Sequence, residues 1–96
     1  MSDFRNAGTE DIYNGDDTKA ARRILPIPLH DVARRKMTII RRASSIDQLS
    51  EPPSNHLEVL SGDRVGEFSV RINRQYRVCF TWNEDAAANL EIIDYH

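Results

Sequence analysis

The feature that most constrains how this chain can fold is a change of hydrophobic period at Pro52-Pro53. Before it, from Leu29 to Ala43, the apolar residues Leu29, Val32, Ala33, Met37, Ile39, Ile40 and Ala43 recur at about the 3.6-residue spacing of a helix. Arg34, Arg35, Arg41 and Arg42 fall on the other side, so an amphipathic helix is predicted, with Pro28 near its first turn and Asp31 and Arg41-Arg42 complementing its dipole. Shorter helices are expected from Thr9 to Tyr13, with Thr9 as N-cap, and from Thr18 to Leu25, and Ser45 is placed to cap a turn through Leu49. After the prolines the pattern alternates. Glu67–Ile72 and Tyr76–Trp82 predict strands, Leu57–Leu60 a shorter one, and Leu90–Tyr95 a last strand after a loop over Asn83–Asn89. Helices followed by an antiparallel meander give an α+β class, with N-terminal helices packed on one face of a small antiparallel sheet. The other face is then expected to meet solvent or a ligand.

A chain of 96 residues has room for one compact domain, so residues 1–96 are read as a single unit with a loosely ordered acidic segment at 1–18. One cysteine, Cys79, allows no internal disulfide, and no zinc-ligand spacing is present. Neither a signal peptide nor a membrane span is expected, which points to the cytoplasm. The formal charge of −2 hides an uneven distribution. Residues 1–18 carry Arg5 against Asp3, Glu10, Asp11, Asp16 and Asp17, and residues 84–96 carry only Glu84, Asp85, Glu91 and Asp94, so each end is −4. The stretch 19–83 is therefore +6, and arginine, whose planar fork suits phosphate, makes up 11 of the chain's 13 basic residues.

The hairpin between the two long strands has one register that keeps apolar residues opposite apolar ones. It pairs Phe68 with Phe80, Val70 with Val78 and Ile72 with Tyr76 across the Asn73-Arg74-Gln75 turn. The same register sets Arg71 directly opposite Arg77 on the face away from the helices. Like charges there cost several tenths of a kcal/mol, up to ~1. Two explanations stand: a pair of guanidiniums converging on phosphate, or arginines satisfied by Asp94, Glu67 or solvent. The chain ends Asp94-Tyr95-His96, an acid, an aromatic and an imidazole, groups suited to proton transfer and to stacking on a base, or to an ordinary solvated terminus. Cys79 and Trp82 read as packed residues and His56 as a surface one.

Three ordered blocks, Asn55-His56-Leu57-Glu58 through Leu60-Ser61-Gly62-Asp63-Arg64 and Gly66, Ser69-Val70-Arg71-Ile72-Asn73 through Gln75-Tyr76-Arg77, Cys79-Phe80 and Trp82, and Glu91 to His96, resemble the HigB-type toxins of the RelE/ParE superfamily. The resemblance covers residues 28–96 well and the N-terminal part in outline. It implies a RelE/ParE-like fold and a ribosome-dependent endoribonuclease that cuts mRNA during translation, with no metal or other cofactor. By position it assigns Arg71, Arg77, Asp94, Tyr95 and His96 to the catalytic site. RNA contact would fall to Arg34, Arg35, Lys36, Arg41, Arg42, Arg64, Asn73 and Arg74. The partners implied are the ribosome, its mRNA and a HigA-type helix-turn-helix antitoxin, with operator DNA reached only through that antitoxin. Some members carry His and Lys where this chain has Glu58 and Ser61. That departure keeps open a non-enzymatic, ParE-like action on DNA gyrase, and the arginine-rich helix keeps open a small nucleic-acid-binding regulator.

Overall fold

The computed structural model describes residues 3–95. Three helices, α1 (Ala7–Asn14), α2 (Lys19–Ile24) and α3 (His30–Arg42), precede four strands, β1 (Glu58–Val59), β2 (Glu67–Arg71), β3 (Tyr76–Asn83) and β4 (Ala86–Asp94). The strands form one antiparallel sheet in the order β1-β2-β3-β4, and the helices cover one face of it, the expected α+β arrangement.

The local chemistry explains each helix boundary. α1 starts two residues before the expected Thr9, because Asn6 is the cap: its Oδ1 accepts from Thr9 N at 2.8 Å. Thr9 is instead buried in the helix, where its Oγ1 accepts from Ile92 N at 3.2 Å and ties α1 to β4. α1 and α2 meet at Gly8, where a Cβ would stand 2.7 Å from Ala20 O, so only glycine lets the backbones approach this closely. Thr18 caps α2, accepting from Ala21 N at 3.1 Å while donating to Asp11. Along α3 the buried residues are His30, Ala33, Met37 and Ile40, a clean i, i+3, i+4 stripe. Ile39, counted with the apolar face in the sequence, lies off that stripe and is 43% exposed.

Opposite the stripe, Val70, Val78 and Phe80 are buried, with Phe68 stacked on Phe80 at 6.0 Å. Burying a side chain of this size contributes roughly 1.5–3 kcal/mol, so the register of the hairpin is strongly determined. It is the expected one: Phe68 pairs with Phe80, Val70 with Val78 and Arg71 with Arg77. β4 begins at Ala86, earlier than the expected Leu90, because Ala86-Ala87-Ala88 carries no alternation for a sequence pattern to detect. A register shift between Cys79 and Thr81, with Asn89 at φ 56°, adds one residue to β4 there. Residues 3–5 run beside β4, Phe4 bridging Leu90 in parallel, so the acidic N-terminal segment is tied to the sheet edge from Asp3 onward.

The far face of the sheet departs from the expectation of an open surface. Glu67, Ser69, Arg77 and Cys79 are all buried there. At one end Arg5 and Arg64 bridge Glu67 and Glu91, with N–O distances from 3.0 to 3.6 Å. At the other end the face opens into a cleft.

Candidate active site

The cleft is built on the β2–β3 hairpin. Asn73 Oδ1 accepts from the backbone N–H groups of Gln75 and Tyr76 at 2.9 and 2.8 Å, closing the turn and fixing where the flanking arginines emerge. Arg71 and Arg77 are cross-strand neighbours, yet their surroundings differ. Arg77 is 6% exposed. Its Nε donates to Ser69 Oγ at 2.7 Å, its Nη2 donates to the carbonyls of His56 and Ser69, and Glu58 Oε1 lies 3.4 Å away. The Tyr95 ring sits over its guanidinium at 5.3 Å. Arg71 is half-buried, and its Nη1 donates to His56 Nε2 at 3.1 Å, since a guanidinium has no lone pair to offer.

The segment before β1 delivers His56. Asn55 is buried, its Nδ2 donating to the carbonyls of Leu49 and Glu51, its Oδ1 accepting from Lys36 Nζ on α3. This anchors the short turn Pro53–Asn55, after which His56 takes a left-handed conformation, φ 46° and ψ 54°. Its carbonyl then meets Arg77 and its ring meets Arg71. The ring is exposed, as expected, and it also lines the cleft. Lys36 is thereby tied to this turn, half-buried, and desolvation and the neighbouring Arg35 lower its pKa.

His56, Glu58, Arg71, Asn73, Arg74, Arg77 and Tyr95 line an open cleft of about 300 Å³. A second cleft of about 320 Å³, lined by Glu58, Ser61, Arg64 and Ile93 among others, shares Glu58 and Tyr95 with the first. The two clefts adjoin at these residues on the polar face. Of the residues assigned to chemistry, Arg71, Arg77 and Tyr95 come together here. Asp94 does not line either cleft: its Oδ2 accepts from Gln75 Nε2 at 3.0 Å, on the hairpin side. His96 lies outside the described residues.

The residues assigned to RNA contact divide in two. Asn73 and Arg74 line the first cleft and Arg64 the second. On α3, Arg34 donates to Ile12 O at 2.8 Å and to Asp31 at 2.7 Å, and Arg41 pairs with Asp3 at 2.7 Å beneath the rings of Phe4 and Tyr13. Arg35 and Arg42 are exposed and form no ion pair among the described residues. Burial opposes the charge of Arg64, but the hydrogen bond to Glu91 and the nearby Cys79, Glu91 and Glu67 raise its pKa. Cys79 is packed as expected: burial pushes its thiol up to about 11, so it is a poor nucleophile. Trp82 packs against the core and donates its Nε1–H to Glu84 O at 3.0 Å. Sequence reasoning missed Glu58 and Ser69 as partners of Arg77. Ser69 had a signal, since the register already set it on the arginine face, diagonal to Arg77.

The arginine-lined cleft and the α+β frame mark out a class, and comparison with known proteins identifies it: residues 2–96 match the model of the HigB-like toxins, RelE-like toxins of the type II toxin–antitoxin system HigB, and the chain belongs to that family. It is 32% identical over 87 residues to Toxin HigB-1 of Vibrio cholerae serotype O1 (strain ATCC 39315 / El Tor Inaba N16961), covering 91% of this chain and 88% of that protein. An uncharacterized protein of Haemophilus influenzae (strain ATCC 51907 / DSM 11121 / KW20 / Rd) is also 32% identical over 87 residues, 91% of this chain and 83% of the relative. The chain is thus a toxin of a type II toxin–antitoxin module, from a family whose general role is mRNA interferase activity and whose members have a cognate antitoxin. Among the described residues no helix is long and apolar enough to cross a membrane.

Proposed function

We propose that this toxin is a ribosome-dependent endoribonuclease that cuts translated mRNA in the cytoplasm, acting as one domain and neutralised by a HigA-type helix-turn-helix antitoxin. The observation that carries the reading is the convergence of Arg71 and Arg77 with Tyr95 in one open cleft. Two guanidiniums lining one cleft with a single carboxylate, Glu58, beside them leave net positive charge there, which suits the phosphodiester an mRNA offers. Cleavage through the RNA's own 2′-hydroxyl requires that group to lose a proton, the phosphorus to gain negative charge on its oxygens, and the 5′-oxygen to depart. Arg77 is fixed in place by Ser69 and by the His56 carbonyl before substrate arrives, so its charge costs no reorganisation as the phosphorane forms. Arg71 supplies the second cation. Tyr95, half its surface exposed beside Arg77, offers a face on which a base can stack. For His96 and Asp94 the family resemblance implies proton transfer by the imidazole, with the carboxylate setting its tautomer.

The cleft is shallow and open, so it does not itself hold a flexible strand in the in-line geometry. A ribosome that presents the codon in a fixed path would supply that positioning, and effective concentration accounts for a large part of such a barrier. Arg35, Arg42 and Arg74 are exposed cations for rRNA phosphates. The test is to induce the toxin and map mRNA 5′ ends. New ends within translated regions, absent with Arg77→Ala, support the reading; intact mRNA with damaged DNA would support the gyrase-directed alternative.

A further inference from the structure

We propose that Lys36 is a positioning residue for both hairpin arginines, acting from α3 through Asn55 and His56; this rests on the endoribonuclease reading above. Lys36 Nζ donates to Asn55 Oδ1, and Asn55, fully buried, donates through Nδ2 to the carbonyls of Leu49 and Glu51 at 3.2 and 3.1 Å. The next residue, His56, is the one that meets Arg77 through its carbonyl and Arg71 through its ring.

Lys36 decides which way the Asn55 amide faces. An amide side chain has a donor end and an acceptor end of nearly the same shape, whereas an ammonium can only donate. Oδ1 must therefore turn to Lys36, which leaves Nδ2 for the two carbonyls and holds the turn Pro53–Asn55 closed. With the ammonium removed, Oδ1 becomes a buried acceptor without a partner. A turn that moves to hydrate it carries the His56 carbonyl away from Arg77 and the ring away from Arg71.

The ammonium is placed unlike that of an ordinary surface lysine. Among the described residues it pairs with no carboxylate; it bends to a neutral amide, half-buried, where desolvation and the neighbouring Arg35 disfavour its charge. A charge kept at such a cost, two residues' length from the arginine cleft, points to the site rather than to stability. Arg35 and Arg42 on the same helix differ in this respect, since both are exposed.

The experiment compares the native toxin, Lys36→Met and Lys36→Arg, each first checked by thermal unfolding. It reads single-turnover cleavage of mRNA on programmed ribosomes, binding to ribosomes carrying mRNA with a 2′-deoxy nucleotide at the cut site across a salt series, and the NMR resonance of the Arg77 Nε–H. Lys36→Met is expected to fold, to bind with native affinity and salt dependence, and to shift the Arg77 resonance. Its cleavage should be roughly 10²-fold slower, the effect of misplacing reacting groups by about 1 Å. Lys36→Arg, which keeps a donor for Asn55, restores both rate and resonance. Weaker binding with a flatter salt dependence and an unmoved Arg77 resonance overturns the proposal, because Lys36 would then touch RNA phosphate directly. A native rate in Lys36→Met overturns it too, as does loss of the folded state, which would make Lys36 a stability element. If the native toxin leaves mRNA uncut, the endoribonuclease reading falls by itself. The Arg77 resonance then still decides the linkage, which an unmoved signal in Lys36→Met overturns.

Discussion

Two sets of arginines, on α3 and on the β2–β3 hairpin, look alike in the sequence and are used differently in the fold. On α3, Arg34 and Arg41 hold the molecule together: one reaches the end of α1 at Ile12, the other joins Asp3, Phe4 and Tyr13. On the hairpin, Arg77 is held by its own strand neighbours and Arg71 by His56, and both present their charge to a cleft. A positive stretch in a sequence counts charges. Whether each has been used inside the fold depends on contacts between distant segments, and the two sets separate on that point.

The comparison can be broken most severely at Arg77. Arg77→Ala is expected to abolish cleavage and also to destabilise the fold by about 1–3 kcal/mol, because Ser69 and two carbonyls lose a buried partner. Both losses are read from cleavage assays and thermal unfolding. Arg71→Ala should lower the cleavage rate roughly 10²–10³-fold, the usual effect of removing one charge-stabilising group, with unfolding almost unchanged. Arg41→Ala should do the reverse: roughly 1 kcal/mol of stability lost, from one partly exposed ion pair and its ring contacts, with activity per folded molecule retained. If Arg41→Ala instead removed activity without changing stability, the division between the two sets would fail. The smallest effect belongs to the double change Arg35→Ala with Arg42→Ala, which should leave the turnover rate intact, weaken ribosome binding a few-fold and flatten its salt dependence.

What could be read in the sequence followed from local periodicity. α3 and the hairpin register are set by which residues alternate, so Arg71 opposite Arg77 followed directly from Phe68, Val70, Val78 and Phe80. The family resemblance then gave that pair a meaning. Contacts between segments without a period were not legible. β1 is only two residues long, too short for an alternation, so nothing placed Glu58 against Arg77. The Lys36–Asn55–His56 linkage depends on a turn between helix and sheet, and Lys36 read as one more surface cation. The burial of Glu67 and Cys79 on the polar face was hidden for a related reason: Arg5 and Arg64, far apart in the chain, pair with Glu67 and Glu91 there, while Ser69 lies against Arg77. Asn6 and Thr9 are both good capping residues by type, and what takes Thr9 out of that role is its contact with Ile92, far away in the chain.

The central claim is that the hairpin arginines form the RNA-cleaving site. Its most direct test is cleavage of mRNA on programmed ribosomes by purified native toxin and by Arg71→Ala, each first shown to be folded by thermal unfolding. The account predicts cleavage within the translated codon by the native protein and a roughly 10²–10³-fold slower rate for the variant at equal stability. Equal rates for the two folded proteins would contradict it.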